Sequence, residues 1–289
     1  MKKILVATDF SARSDRAIRR ATLLARQFGA SVTLVHVVDD DQPRQLVESE
    51  SEIADRILAD QCDSLREIDG LDCEFLIELG DPFEGIAAAT ARLPPDLLVV
   101  GTHRRKALKD LFLGTTAERT IRASKRPVVM ANNVPAAPWR HILVGIDFSD
   151  NSSAAFESVK SLGIDANATV TAVHVFDAPG TALIGHSTMT RDEAAVYIAG
   201  EQARAEKDLA AFVKRKGHAP DNSVVRFNET SVGMVLADTA RELSADLIVV
   251  GTRGRSGVAR TMLGSATEEV FRISDRDVLA VPIASNRSR

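Results

Sequence analysis

Short unbroken apolar runs alternate along this chain with segments in which apolar residues recur every three or four positions. The runs predict strands buried on both faces of a parallel sheet, and the periodic segments predict the helices that cover it. The first strand is read in Lys3 to Thr8, closed by Asp9. SARSD then offers helix caps; Ala17, Ile18, Ala21, Leu24, Ala25 and Phe28 fall on one helical face, and Gly29 stops the helix. Ser31 to Val38 is a second strand, followed by an acidic loop, a helix marked by Ile53, Ile57, Leu65 and Ile68, and a third strand from Phe75 to Leu79. Pro82 opens a short helix, and Asp96 to Val100 is a fourth strand. After a loop that begins at Gly101 come a helix from about Thr115 to Ala123 and a short strand from Val128 to Met130. The order β-α-β-α-β-α-β-α-β predicts an α/β domain with a mostly parallel sheet and helices on both faces.

The same plan then begins again. After ANNVPAAP, HILVGIDFS (from His141) matches KILVATDFS (from Lys3) at an offset of 138, as TVTAVHVFD matches SVTLVHVVD. Farther on the offset is 150, where ADLIVVGTRG matches PDLLVVGTHR and LGSATE matches LGTTAE. The chain is therefore expected to be a tandem duplication: domains at 1–131 and 140–289 joined by a linker at 132–139. The 12 added residues are expected between the second and third strands of the second copy, within Pro179 to Gly217. There Ala205, Leu209, Phe212 and Val213 mark one face of a charged helix, read as a cover for the sheet or as a separate ligand-binding element.

Length agrees with two domains, since 289 residues exceed one typical core. Charge narrows the partners. The net charge of −4 divides equally, −2 in residues 1–138 and −2 in the remainder, so neither half is a basic surface for nucleic acid. The apolar run after Lys2 and Lys3 is too short for a secretory leader, and no run is long enough to cross a bilayer, so a cytoplasmic protein is expected. Cys62 and Cys73 make neither a disulfide framework nor a zinc site by themselves and are read as packing residues. His36 and His174, at matching strand positions among apolar neighbours, are read as core residues; His186 and His218 lie in the added segment.

Candidate chemistry concentrates in Gly251 to Ser265, GTRGRSGVARTMLGS, between a predicted strand and a predicted helix. Read alone, it is either a surface turn or a cradle in which main-chain amides and a helix N-terminus meet a phosphate. It lacks the spacing of a dinucleotide fingerprint and the GxxxxGK of a P-loop. Gly251, Gly254 and Gly264-Ser265 have two and nine residues between them, and this spacing resembles the ATP-binding signature of the universal stress protein family. The resemblance extends to Asp147, Ser149 and Ser152, to VHVF, and to the closing VLAVP, and in the first copy to Asp9, Ser11, Ser14, VHVV and PVVM.

That resemblance implies two flavodoxin-like, Rossmann-like domains, each with a five-stranded mostly parallel sheet, pairing internally through their last strands, with a homodimer open. It implies a stress-response module that holds ATP with magnesium in the second copy. Gly254, Gly264 and Ser265 would meet the phosphates, with Ser265 also capping the next helix; Gly251 would sit beside the ribose. Asp147 would take a ribose hydroxyl or help hold magnesium, and Val175 would present its backbone to adenine. Thr252, Arg253 and Ala266 complete the expected set, and Arg255 and Arg260 are either phosphate contacts or solvated.

The first copy departs from the signature, with Arg104 and Ala107 where the second has Gly254 and Gly257; Gly101 and the final Gly114-Thr115 are kept. Weak or no ATP binding is expected there, and His103, Arg104, Arg105, Lys106 and Lys109 are read as a solvated basic loop or, alternatively, as a charge cluster for an anion of another kind. No catalytic base can be named, so at most slow ATP hydrolysis is expected. A related ATP-using enzyme would need SGGxDS or HIGH, which are missing. The alternative from another class is a nucleotide-independent scaffold, or a binder of another ligand through 179–217.

Overall fold

The sealed faces of the strands show where the apolar runs go. In β1 (Lys3–Ala7) and β4 (Leu97–Gly101), Ile4, Leu5, Val6, Leu97, Leu98 and Val99 are all buried. The protein, seen in a computed structural model, is described over residues 1–102, 116–179, 190–252 and 263–283. The remaining elements of the first repeat are α1 (Ala12–Phe28), β2 (Ser31–Val38), α2 (Arg44–Glu67), β3 (Cys73–Leu79), α3 (Pro82–Arg92), α4 (Thr116–Ala123) and β5 (Val128–Ala131). The second repeat supplies β6 (His141–Ile146), α5 (Asp150–Ser161), β7 (Thr169–Phe176), α6 (Arg191–Lys216), β8 (Asn222–Phe227), α7 (Val232–Glu242), β9 (Leu247–Gly251), α8 (Ser265–Ile273) and β10 (Asp277–Val281). The fold is the α/β plan expected from the pattern, run twice.

Helix boundaries follow local chemistry. Ser11 caps α1 by accepting the Ser14 N–H, and Gly29, at φ 62°, ends it in the left-handed conformation. Asp81 caps α3 by accepting from Phe83 and Glu84, with Pro82 at the first helical position where its missing N–H costs nothing. Thr190 and Glu193 form a reciprocal capping box at the start of α6. The hydrogen bonds from Thr190 hold the Glu193 carboxyl below its ordinary range.

Two compact units emerge. One contains residues 1–138 and, from the far end of the chain, β10; the other spans residues 139–276. In the first unit the strand order is β3-β2-β1-β4-β5-β10, the first five parallel and β10 antiparallel to β5. The β5–β10 register pairs Met130 with Val278, Val129 with Leu279 and Val128 with Ala280. A buried ion pair sits at the start of this ladder, with Arg20 Nε 2.8 Å from Asp277 Oδ2 and side chains 5% and 0% exposed. Asp277 Oδ1 also accepts the main-chain N–H groups of Asn132 (2.9 Å) and Asn133 (3.3 Å). In the second unit β9-β6-β7-β8 are parallel.

The sheet register corrects the expected position of the added residues. Thr33 pairs with Glu74 in the first repeat, and its counterpart Thr171 pairs with Asn222 in the second, an offset of 148 between β3 and β8. Ten of the 12 added residues therefore precede β8. The other two follow it, where residues 228–231 stand in place of Gly80 and Asp81. Helix α6 is only two residues longer than α2, at 26 against 24, so most of the addition lies in the connection from β7 to α6. Ala205, Leu209 and Phe212 of α6 are buried and Val213 is half-buried, the face expected to cover the sheet.

Candidate functional site

The carboxyl ends of parallel strands are where open α/β sheets gather ligand-binding groups. At the end of β6 the chain turns sharply: Phe148 adopts φ 64°, a left-handed conformation that costs a residue with a Cβ about 1–3 kcal/mol. Two features hold it there. Asp147 Oδ1 accepts both the N–H and the Oγ–H of Ser149, at 3.0 and 2.5 Å. The Phe148 ring lies 4.3 Å from the His174 ring and 5.8 Å from that of Phe212. His174 in turn donates from Nδ1 to the Ile146 carbonyl at 2.7 Å, so this buried histidine braces the turn. Ser149 accepts from Ser152 N and caps α5, and Asp147 lines the cleft beside this turn.

The first repeat makes the same turn. Phe10 takes φ 58°, its ring stacks on His36 at 4.2 Å, and His36 Nδ1 donates to the Thr8 carbonyl at 2.9 Å. Asp9 Oδ1 accepts from Ser11 N and Oγ at 3.1 and 2.5 Å. Burial pushes the Asp9 carboxyl up, but the Ser11 and Ser14 hydroxyls, the Ser11 N–H and the Arg13 guanidinium together outweigh it, and the carboxyl lies below its ordinary value. The left-handed phenylalanines carry no sequence signal, because phenylalanine is not a residue that favours positive φ.

Gly251 ends β9 against the first turn of α5. A Cβ at this position would stand 2.7 Å from the Asn151 carbonyl carbon, and at the matching Gly101 it would stand 2.9 Å from that of Arg13. The first glycine of the loop is thus required by strand-to-helix packing. Thr267 Oγ1 donates to the Gly251 carbonyl at 2.7 Å and Gly264 N to the Thr252 carbonyl at 2.9 Å, which anchor the two described ends of the loop. The first bond has no counterpart in the first repeat, where Ala117 stands in the place of Thr267.

A cleft of about 290 Å³ opens among these ends. It brings together six of the expected residues, Asp147, Val175, Gly251, Gly264, Ser265 and Ala266. Thr252 is buried and does not line it, and Arg253 and Gly254 lie outside the described residues, as do Arg255 and Arg260. The cap of α8 is Gly264, with no side-chain hydrogen bond; Ser265 is already the first helical residue, so the expected Ser265 cap is corrected. The N–H groups at the start of α8 therefore border the cleft without a side-chain acceptor, and they carry the positive end of the helix dipole. Val173, Val232 and Leu236 supply an apolar wall.

The first repeat has a cleft of about 450 Å³ at the matching place. Arg13 stands in it where the second repeat has Asn151, 3.8 Å from Asp9 Oδ2. The expected differences at Arg104 and Ala107, the basic loop from His103 to Lys109, and Gly114-Thr115 lie outside the described residues. His186 does too, whereas His218 stacks on Phe156 at 4.6 Å. Among the described residues no three His, Cys, Asp or Glu side chains gather as a metal site, and no helix is long and apolar enough to cross a membrane.

Comparison with known proteins agrees with this geometry. The family model described as "Universal stress protein family" matches twice, over residues 1–132 and 138–282. A universal stress protein of Mycolicibacterium smegmatis is 28% identical over 307 residues, covering 96% of each chain. Universal stress protein Rv2005c of Mycobacterium tuberculosis is 25% identical, covering 93% of this chain and 92% of its own. Among solved structures, a universal stress protein from Archaeoglobus fulgidus superposes with a TM-score of 0.70 at 20% identity, covering 97% of this chain and 98% of its own. At that identity it speaks for the fold alone.

Proposed function

The chain belongs to the universal stress protein family, and from that premise we propose that its second repeat binds ATP with magnesium and acts as a nucleotide-dependent regulatory module of the cytoplasm. The observation that carries the reading is the cleft at the end of β6, β7 and β9, into which α8 presents an uncapped N-terminus. Main-chain amides without a side-chain acceptor, a carboxylate and an apolar wall suit a ligand with an anionic tail, a polyol and a flat ring.

In this reading the N–H groups of Ser265 and Ala266 and the Ser265 hydroxyl meet the phosphates, with Gly254 and Arg253 completing the cradle, while the Gly264 N–H stays on the Thr252 carbonyl and holds the start of α8 in place. Asp147 Oδ2 accepts from a ribose hydroxyl or joins the shell of a phosphate-bound magnesium ion. Val175 lies one residue beyond Ile146↔His174, the last pair in the β6–β7 register, and offers its backbone to the adenine edge. Gly251 lets β9 end tightly enough for the ribose to fit. The β5–β10 ladder supports the family's last-strand pairing made within a single chain, with domains at 1–131 and 140–289 and a linker at 132–139.

Ala266→Asp tests the site. A carboxylate in the first turn of α8 favours the helix dipole, so unfolding stability is unchanged or raised. The same charge repels phosphate and is expected to weaken ATP binding about tenfold or more, as read by calorimetry. Undiminished affinity in this variant, or no binding by the unaltered chain, overturns the proposal; the latter outcome favours a nucleotide-independent scaffold.

A further inference from the structure

The two cysteines are eleven positions apart in sequence and belong to different elements, Cys62 to the last turns of α2 and Cys73 to the first residue of β3. Folding brings their sulfurs to 2.7 Å. Both thiols are free, and the residues are 0% and 1% exposed. Helix α2 packs on β3, and Arg66 of α2 donates to the Cys73 carbonyl, which fixes the helix end against the strand that carries the partner thiol. No nucleotide chemistry uses this pair, which lies away from both clefts.

We propose that Cys62 and Cys73 form a two-electron redox site, oxidised by hydrogen peroxide or a small organic hydroperoxide to an internal disulfide that ties α2 to β3. Cys62 is the attacking sulfur. The hydrogen bond from Cys73 outweighs burial and, with the Arg66 guanidinium, lowers the Cys62 thiol from its ordinary range, while that same bond and burial push Cys73 up.

The Cys62 thiolate attacks one peroxide oxygen and the O–O bond breaks. Cys62 becomes a sulfenic acid, and the departing hydroxide takes up the proton that the thiol lost, leaving as water. The Cys73 sulfur then attacks the Cys62 sulfur; the S–O bond breaks, and the hydroxyl leaves as a second water with the Cys73 proton. The two thiols lose two electrons and two protons, and hydrogen peroxide is reduced to two waters, or an organic hydroperoxide to its alcohol and one water. Because both sulfurs are sealed, the peroxide reaches them when the turn at residues 68–72 opens. That turn has Ile68 77% exposed and Gly70 at φ 66°.

The test uses the full chain, reduced and then exposed to hydrogen peroxide, with remaining thiols alkylated and the protein digested without reductant. The expected result is a peptide pair joined through Cys62 and Cys73, two hydrogens lighter than the reduced pair and separated by reductant. The oxidised chain is also expected to unfold at a higher temperature than the reduced chain. In Cys73→Ser, which removes the resolving sulfur, a sulfenic acid on Cys62 is expected to be trapped by dimedone. Two thiols that remain fully alkylatable after peroxide, crosslinks only between chains, or separate sulfinic acids in the unaltered chain would overturn the proposal, whatever the stability of the variant.

Discussion

Asp9 and Asp147 stand at matching strand ends, and each spends one carboxylate oxygen on the serine that caps the next helix. Their position was legible in the repeated DFS, since a polar residue that closes an apolar run marks a strand end. Their attachment to a left-handed phenylalanine was not, because only the histidine behind it, the hydrogen bonds around it and the aromatic stacking determine that torsion. Gly251 was legible as a loop glycine, but its reason is the Asn151 backbone of a helix about a hundred residues earlier. The native Asp9 carboxyl is lowered from 3.8, so its contribution is fully present above that value and disappears as pH falls through the lower native value. Asp9→Asn is therefore expected to reduce unfolding free energy at neutral pH by about 1 kcal/mol or less, since the side chain is 65% exposed. Urea denaturation is expected to show this difference vanishing once the wild-type carboxyl is itself protonated; a difference that persists there would contradict the assignment.

At the scale of elements, the face of α2 was misread, since Ile53 and Ile68 are exposed and Ala54, Leu58, Cys62 and Leu65 are the buried positions. Every strand of the first repeat was readable as an apolar run, with boundaries shifted by a few residues. Cys73 to Leu79, for example, is two residues longer than the strand read from Phe75, because Glu74 interrupts its apolar run. The added segment was partly readable. The buried face of α6 followed its period, whereas the two residues added after β8 were hidden, since sequence offset is informative only where residues match. Phe212, 2% exposed and set among Phe148, Phe156 and Lys216, is the anchor of α6. Phe212→Ala is expected to cost about 3–5 kcal/mol in chemical denaturation, through the lost burial and the cavity left behind. A cost well below this would mean that α6 covers the sheet without anchoring it.

For the whole molecule, the duplication and the unequal glycine loops were legible, but the charged pair that ties the last strand to the first repeat was not. Asp277 opens the last strand of the second repeat, yet it is buried against Arg20 of the first helix and against the N–H groups of Asn132 and Asn133. The matching positions are Ser158 and Pro127, so comparing the repeats could not reveal a charged pair that each copy holds only half of. Asp277→Ala would leave a buried guanidinium uncompensated and is expected to cost about 3–5 kcal/mol. Arg20→Met combined with Asp277→Leu is expected to recover much of that loss, and failure to recover any would show that the amide contacts, not the ion pair, dominate. The first cleft holds Arg13 where the second repeat has Asn151, and the proposal that only the second holds ATP can be tested directly. The decisive measurement is a calorimetric titration of the full chain with ATP and magnesium, repeated with Ala266→Asp and with Thr116→Asp at the matching position of α4. One nucleotide per chain, lost in the first variant and kept in the second, is the predicted result; no binding, two equivalent sites, or loss only in Thr116→Asp would contradict it.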